Sequence, residues 1–385
     1  MILHFHYSYK ENSGEIRRIK NIDAGFATAL QTDVIEIAFL PIPTFFKRKA
    51  SFKLSKFVTK KYEFPSFPFH HSSAIAQIIN SYWTSLIMLL LCLKYNPKLI
   101  IGEYSTCRQS FRFNPQRKPF VIDCHGDAID EYRYNSKKIS KLKIYFMEKM
   151  ERTGIKKAKY VVCQSNAMIK FLQKKYSPSD PNKFIEYKCN ASLDNFYFDQ
   201  EIRKSTRKIL NIEDNTTVFI YSGGLHKWQK VEESISFFKK YHHLNANSKL
   251  IILTLDKNKA IELSQTSAPS LTSSIIIESV PHDQVIKYLN AADIAFLLRD
   301  NRNLNAVASP TKLGEYMACG LPVISTEVAM NWIENHSFIF NIDTQPISDL
   351  DKFIQQVDKK QIATYAKENM NIKIDQANLQ KKLHE

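Results

Sequence analysis

The sequence predicts an α/β protein built from two doubly wound parallel-sheet domains. Three observations carry that expectation: short apolar runs recur along the whole chain, helical patterns separate them, and the runs fall into two groups. Strands buried on both faces of a parallel sheet read as such runs, because helices cover both sides. In chain order they are Val34–Leu40, Leu99–Ile101, Phe120–Ile122 and Tyr160–Val162, then Val218–Tyr221, Leu250–Leu253, Ile275–Ile277, Ile294–Leu298 and Pro322–Ile324. Helical periodicity lies between them, as over Ile139–Lys156, Glu232–His242 and His282–Asn290. The uncharged stretch Ser72–Leu93 is long enough to span a bilayer. Gln77, Asn80, Ser81, Thr84 and Ser85 interrupt it, and its most apolar run is only Leu86–Leu93, so it reads as a buried helix packed on a sheet. A polar, irregular stretch from Cys189 to Asp214 parts the two groups. The expected division is 1–194, 195–360 and a helical tail, 361–385, packing back toward the first domain. Ligands of such folds bind at the carboxyl ends of the strands, so a cleft between the domains is the expected site.

A chain of 385 residues is long for one core, and 44% hydrophobic with 24% charged residues excludes a disordered chain. Six scattered cysteines without metal or redox spacing read as reduced thiols of a cytoplasmic protein. Met1–Tyr9 lacks the basic start of a signal peptide. The net charge of +16 is uneven: residues 1–200 hold 32 Lys+Arg against 17 Asp+Glu, while residues 201–385 hold 22 against 21. One basic half points to a polyanionic partner: an anionic membrane surface, an acidic lipid-linked substrate or nucleic acid. Phe45–Tyr62 has seven basic residues and no acid, with Ala50, Leu54, Phe57 and Val58 on one helical face. It fits a basic amphipathic helix on an anionic membrane, or equally a solvated basic loop.

The most informative segment is SPTKLGEYMACGLPVIST, residues 309–326. Ser309 reads as an N-cap, Pro310 as the first helical residue, Gly320 as the stop, and Leu321–Ile324 as the next strand. Lys312 falls in the first turn, where the helix dipole disfavours a cation unless an anion lies against the backbone amides. Glu315 on the same helix suits a diol such as ribose. Glycine is scarce, nine in all, so Gly223-Gly224 after a strand is informative, and the loop runs on into Lys227 and Lys230. No GxxxxGK[ST] loop is present. The pattern is two strand-end loops, each offering amides and a lysine.

These segments resemble the donor domain of GT-B glycosyltransferases of the family 4 type. The resemblance rests on Tyr221–Lys230, on Ala291-Ala292-Asp293-Ile294 and on residues 309–324, and it covers about 205–330 well. It extends loosely to Gly14 and to Asp123-Cys124-His125-Gly126. It implies two Rossmann-like domains and transfer from a nucleoside diphosphate sugar to a glycan or lipid-linked acceptor, as in capsule or lipopolysaccharide synthesis. It implies that Glu315 binds the ribose hydroxyls, Lys230 or Lys227 the diphosphate, and Gly14, Gly223, Gly224, Ser309, Thr311, Lys312 and Leu313 the rest of the donor. His125 would reach the donor sugar. Two departures stand out: Val307 occupies the position of a second glutamate, and Gly224 that of an arginine. Retention of configuration is implied, yet Val307 leaves it open, and Asp127 could be the base of an inverting reaction or merely a helix cap. Lysines and helix ends stabilise a departing diphosphate without a metal, and the one Asp-x-Asp, Asp349-Leu350-Asp351, falls in a polar stretch, so no metal is expected. A sugar-nucleotide epimerase is the enzymatic alternative. A nucleic-acid-binding protein is the alternative from another class, but no recognised binding motif supports it.

Overall fold

The computed structural model describes residues 1–7, 14–47, 55–67, 74–103, 118–136, 138–190 and 193–384. It divides into two compact units, Met1–Lys188 with Asp375–Glu385, and Cys189–Ile374. The boundary falls six residues before the expected 194/195. The tail also differs from the expected 361–385. Helix Lys359–Asn369 buries Ile362 and Ala366 in the second unit's core, so only the segment from Asp375 joins the first unit. There Leu379 is fully buried beside Gly25.

The first unit is one parallel sheet of seven strands. They are β1 (Ile2–Tyr7), β2 (Val34–Pro41), β3 (Val58–Ser66), β4 (Leu99–Glu103), β5 (Phe120–Cys124), β6 (Tyr160–Cys163) and β7 (Phe184–Glu186), ordered β3-β2-β1-β4-β5-β6-β7. The second unit holds six parallel strands: β8 (Thr217–Ser222), β9 (Ser248–Leu253), β10 (Ile275–Glu278), β11 (Ile294–Phe296), β12 (Val323–Ser325) and β13 (Ile339–Asn341), ordered β10-β9-β8-β11-β12-β13. All nine expected strands are present. The four that escaped notice are β1, whose histidines break its apolar run, the short β7 and β13, and the edge strand β3. Lys60 on β3 faces water, and a charge there protects an edge from pairing with another chain.

Over Phe45–Tyr62, where an amphipathic helix and a basic loop are equal alternatives, the last five residues belong to the strand Val58–Ser66, so a helix does not extend over them. A short helix, Ile42–Lys47, precedes it, and Ala50 and Leu54 lie outside the described residues. The stretch expected as a buried helix is the helix Ala74–Tyr95, with one face buried and the other exposed. Its window Ile78–Tyr95 is long and apolar enough to cross a membrane, and 44% of it is buried.

In each sheet the strand order reverses once, and such switch points open a crevice at the strands' carboxyl ends. In the second unit the reversal falls between β8 and β11. The loops that carry Gly223 and Arg299–Asp300 therefore meet there. In the first unit it falls between β1 and β4, where the Tyr7 amide donates to Glu103 at 3.4 Å.

Candidate functional site

In the second unit the site is built on helix Thr311–Ala318 and the end of β8. Lys312 and Tyr316, four residues apart, share one helical face. The Tyr316 hydroxyl accepts from the Ser222 amide at 2.9 Å, which pins this helix to the last residue of β8. Lys312 then lies across the strand end. Its Nζ donates to Gln229 Oε1 at 3.1 Å and to the Tyr221 hydroxyl at 3.3 Å, and it sits 4.7 Å from the Tyr221 ring centroid. Gly223 makes this possible. A Cβ there would lie 2.0 Å from Lys312 Nζ, and its φ of +140° is a region side chains avoid. Gly224 is exposed and holds no such contact, so the pair is one necessary glycine and one incidental one.

Gly223→Ala is accordingly expected to push Lys312 off the strand end and strain the turn. We expect a stability loss of about 1–3 kcal/mol, read in thermal denaturation. An unchanged melting temperature would show the turn relaxes freely.

Glu315 is 5% exposed, and His282 Nε2 lies 3.1 Å from its Oε1. The His282 ring packs edge-on against Phe196. Lys230 caps helix Val231–Leu244 in a left-handed conformation. Its ammonium is 3.1 Å from Asp300 and 3.6 Å from Glu233. Burial would lower its pKa, but the two carboxylates outweigh that and raise it, keeping the charge on. Lys227 is exposed beside it.

The expected capping at 309–311 is corrected. Pro310 is the N-cap and Thr311 the first helical residue, because the Ser309 hydroxyl is taken by the Cys189 amide at 3.2 Å. The Leu313 side chain is buried in the core, leaving only its backbone for a ligand. Val307 is also buried, directly after helix Asn303–Ala306. Asp293 proves to be an anchor: Arg203, Arg207 and the Val218 amide all donate to its carboxylate. Asp349 and Asp351 are exposed on a helix start, Asp351 accepting from the Tyr241 hydroxyl. Among the described residues no group of three or more His, Cys, Asp or Glu is placed to hold a metal ion.

Three residues missed from sequence join this site. His282 partners Glu315, Gln229 partners Lys312, and Arg299 is a buried guanidinium just beyond β11, its pKa lowered by burial. The readable signal was Arg299-Asp300 directly after a strand.

His125 and Asp127 belong to the first unit. His125 Nδ1 stands 3.6 Å from Asp123 Oδ2. Burial would lower the imidazole, but Asp123, with Glu103 behind it, outweighs that and raises its pKa. Asp127 is the N-cap of helix Ala128–Asn135, its Oδ1 accepting from the amides of Ile129 and Asp130 at 3.2 and 3.1 Å. That is the capping alternative. Gly14 opens helix Gly14–Leu30, and the loop before it lies outside the described residues.

Under this helix the sheet carries charge. His4 Nδ1 is 2.6 Å from Asp23 Oδ1, and Arg18 grips Asp123 through two nitrogens. Glu36 lies 3.9 Å from His6 and 3.6 Å from Lys61. Burial would raise Glu36, but these neighbours outweigh it and hold the carboxyl down to about 2. A depressed carboxyl stabilises the fold above its ordinary value and loses that stabilisation as pH falls through the folded value. Between about pH 4.5 and 2, Glu36→Gln should therefore flatten the acid unfolding curve by on the order of 3 kcal/mol. Parallel curves for variant and parent would contradict this.

Open parallel sheets with a lysine and a buried glutamate at the switch point define a Rossmann-like ligand domain, and two such units in one chain define the GT-B fold. Residues 202–332 match the family model "Glycosyl transferases group 1". No curated protein matches the chain in sequence. The solved structures similar over nearly the whole length include these three. Sucrose-phosphate synthase from Thermosynechococcus elongatus has a TM-score of 0.73 at 13% identity, covering 98% of this chain and 97% of that one. Anabaena HepE in complex with UDP has 0.69 at 15%, covering 100% and 99%. WaaG, a glycosyltransferase involved in lipopolysaccharide biosynthesis, has 0.63 at 13%, covering 99% and 94%. The second unit thus carries a glycosyl transferases group 1 domain, and the chain as a whole has the GT-B fold of these structures.

Proposed function

We propose that the chain, as a family 4 type enzyme, transfers a sugar from a nucleoside diphosphate sugar to a glycan or lipid-linked acceptor of a bacterial surface polysaccharide. The observation that carries this reading is Lys312 laid across Gly223 at the β8/β11 switch point, with the buried Glu315 on the same helix. Cleaving the sugar–phosphate bond leaves negative charge on the departing diphosphate, and preplaced cations stabilise that charge most where water is excluded. Lys312 and Lys230 take this role, without a divalent ion. Glu315 accepts from the ribose hydroxyls, turning from His282 to do so, and His125 meets the donor sugar. HepE, solved with UDP and with UDP-glucose, supports a nucleotide-sugar donor, and WaaG supports a surface-glycan product. The basic first half supports work at the anionic cytoplasmic face of a membrane.

Glu315→Ala and Lys230→Ala should each lower transfer by about 10²-fold or more while leaving the fold intact, measured as sugar incorporation with melting temperature as control. Unchanged turnover in both variants would sink the reading. A new sugar nucleotide formed from donor alone would favour the epimerase instead.

A further inference from the structure

Helix Ala74–Tyr95 turns an apolar stripe to water, while its buried side takes in polar residues as well as Ile87, Met88, Leu91 and Cys92. Its buried side holds Asn80, Ser81, Thr84 and Ser85, none more than 6% exposed. Their hydrogen bonds are made internally. Asn80 accepts from the Phe67 amide at 2.7 Å and donates to the Phe67 carbonyl at 3.1 Å, and Ser85 donates to the Ser81 carbonyl at 2.7 Å. Trp83 donates to the Pro65 carbonyl at 2.8 Å. The outward side carries Ile75, Ile79, Tyr82, Leu86, Leu90 and Leu93, between 40% and 71% exposed. These steps of four and three residues draw one stripe along the helix, about 27 Å long at 1.5 Å per residue. A helix facing water turns its polar residues outward, since burying them costs free energy that hydrogen bonds only offset. Here polar residues were to hand, yet the fold buries them and shows water its leucines.

The surroundings indicate what covers this stripe. Residues 74–98 contain no Asp or Glu, and Lys94 and Lys98 stand exposed at its end. Helix Lys141–Lys157 packs beside it; Lys141 and Leu142 in its first turn, and Lys138 and Ile139 just before it, are all exposed. Exposed apolar side chains with lysines at one end and on the adjoining helix match the headgroup–acyl boundary of an anionic bilayer. A spanning role does not fit, because the other side of the helix is packed inside its own unit. We propose that this face lies in the plane of an anionic lipid bilayer, inserting the stripe shallowly and pairing the flanking lysines with lipid phosphates. The proposal deepens, and rests on, the reading of an enzyme working at a membrane surface.

The test is flotation of the full chain with phosphatidylcholine vesicles and with vesicles enriched in phosphatidylglycerol. The parent should float with the anionic vesicles, and the triple variant Leu86→Ser, Leu90→Ser, Leu93→Ser should partition at least about tenfold less. Lys138→Glu with Lys141→Glu should lose the preference for phosphatidylglycerol. Flotation of the triple variant equal to the parent, or no flotation of the parent, overturns the proposal. So does a parent dimer, lost in the triple variant, without vesicle binding, which assigns the stripe to a second copy. Thermal shift by uridine diphosphate, expected to be equal in parent and triple variant, reads the donor site separately. Failure of docking is thereby distinguished from failure of the glycosyltransferase reading.

Discussion

Asp293→Ala is expected to destabilise the second unit by about 3–5 kcal/mol, the range for removing one partner from a buried charge cluster. The carboxylate is where three separate elements meet. Its Oδ1 accepts from Arg203 at 2.6 Å, and its Oδ2 accepts from Arg207 and from the Val218 amide, both at 2.9 Å. Lys359, at the start of the helix that closes this unit's core, stands 3.9 Å away. Without the carboxylate, three cations face one another, and Arg207 is only 2% exposed. Burial already pulls the Arg207 pKa down, and Asp293 is the chief group opposing it. Both arginines also donate to backbone carbonyls, of Ala292 at 2.7 Å and Thr216 at 2.8 Å, and these bonds survive the substitution. Asp293→Asn, which keeps the shape and loses the charge, should therefore fall between the parent and the alanine variant. Hydrogen exchange of the β8 amides reads this unit by itself. A loss below about 1 kcal/mol would mean the carbonyls alone hold the arginines.

Asp293 also shows what one sequence can and cannot yield. It was conspicuous as part of a motif, but its partners are 75 to 90 residues away, and no local pattern encodes such a meeting. The central strands were legible because burial on both faces demands continuous apolar runs. β3 was not, because an edge strand is selected to look polar. Lys312 and Gly223 were each noticed for local reasons, the helix dipole and the turn. That the glycine exists to admit the lysine follows only from the 2.0 Å approach. Ser309 was misread as a cap because its true partner, the Cys189 amide, is 120 residues distant. His282 stayed invisible, since a histidine in a polar helix start carries no signal until its ring meets Glu315.

Arg18→Met should cost the first unit about 3–5 kcal/mol at neutral pH by the same physics. Arg18 and Asp123 are 5% and 1% exposed, with Arg18 also donating to the Tyr187 carbonyl at 2.9 Å. Burial would raise the Asp123 carboxyl, but Arg18 and then His125 outweigh it and hold it well below the usual carboxylate range. Without the guanidinium a bare carboxylate would lie buried, paired across strands with Glu103. It would then take up a proton at higher pH than in the parent. The sign of the pH effect follows. In the parent, a depressed carboxyl gives stability that is lost as pH falls below its ordinary value of 3.8. In the variant that contribution is already gone, so the gap between the two should narrow on acidification. A double variant, Arg18→Met with Asp123→Asn, removes both charges and should regain part of the loss, with a coupling energy of about 1–3 kcal/mol. Asp123→Asn alone should also let the His125 imidazole fall toward its ordinary 6.5, since that carboxylate is the main group raising it. Proton NMR titration of His125 follows this directly. An Arg18→Met deficit that is independent of pH would show that Arg18 contributes only packing, with Asp123 solvated from elsewhere.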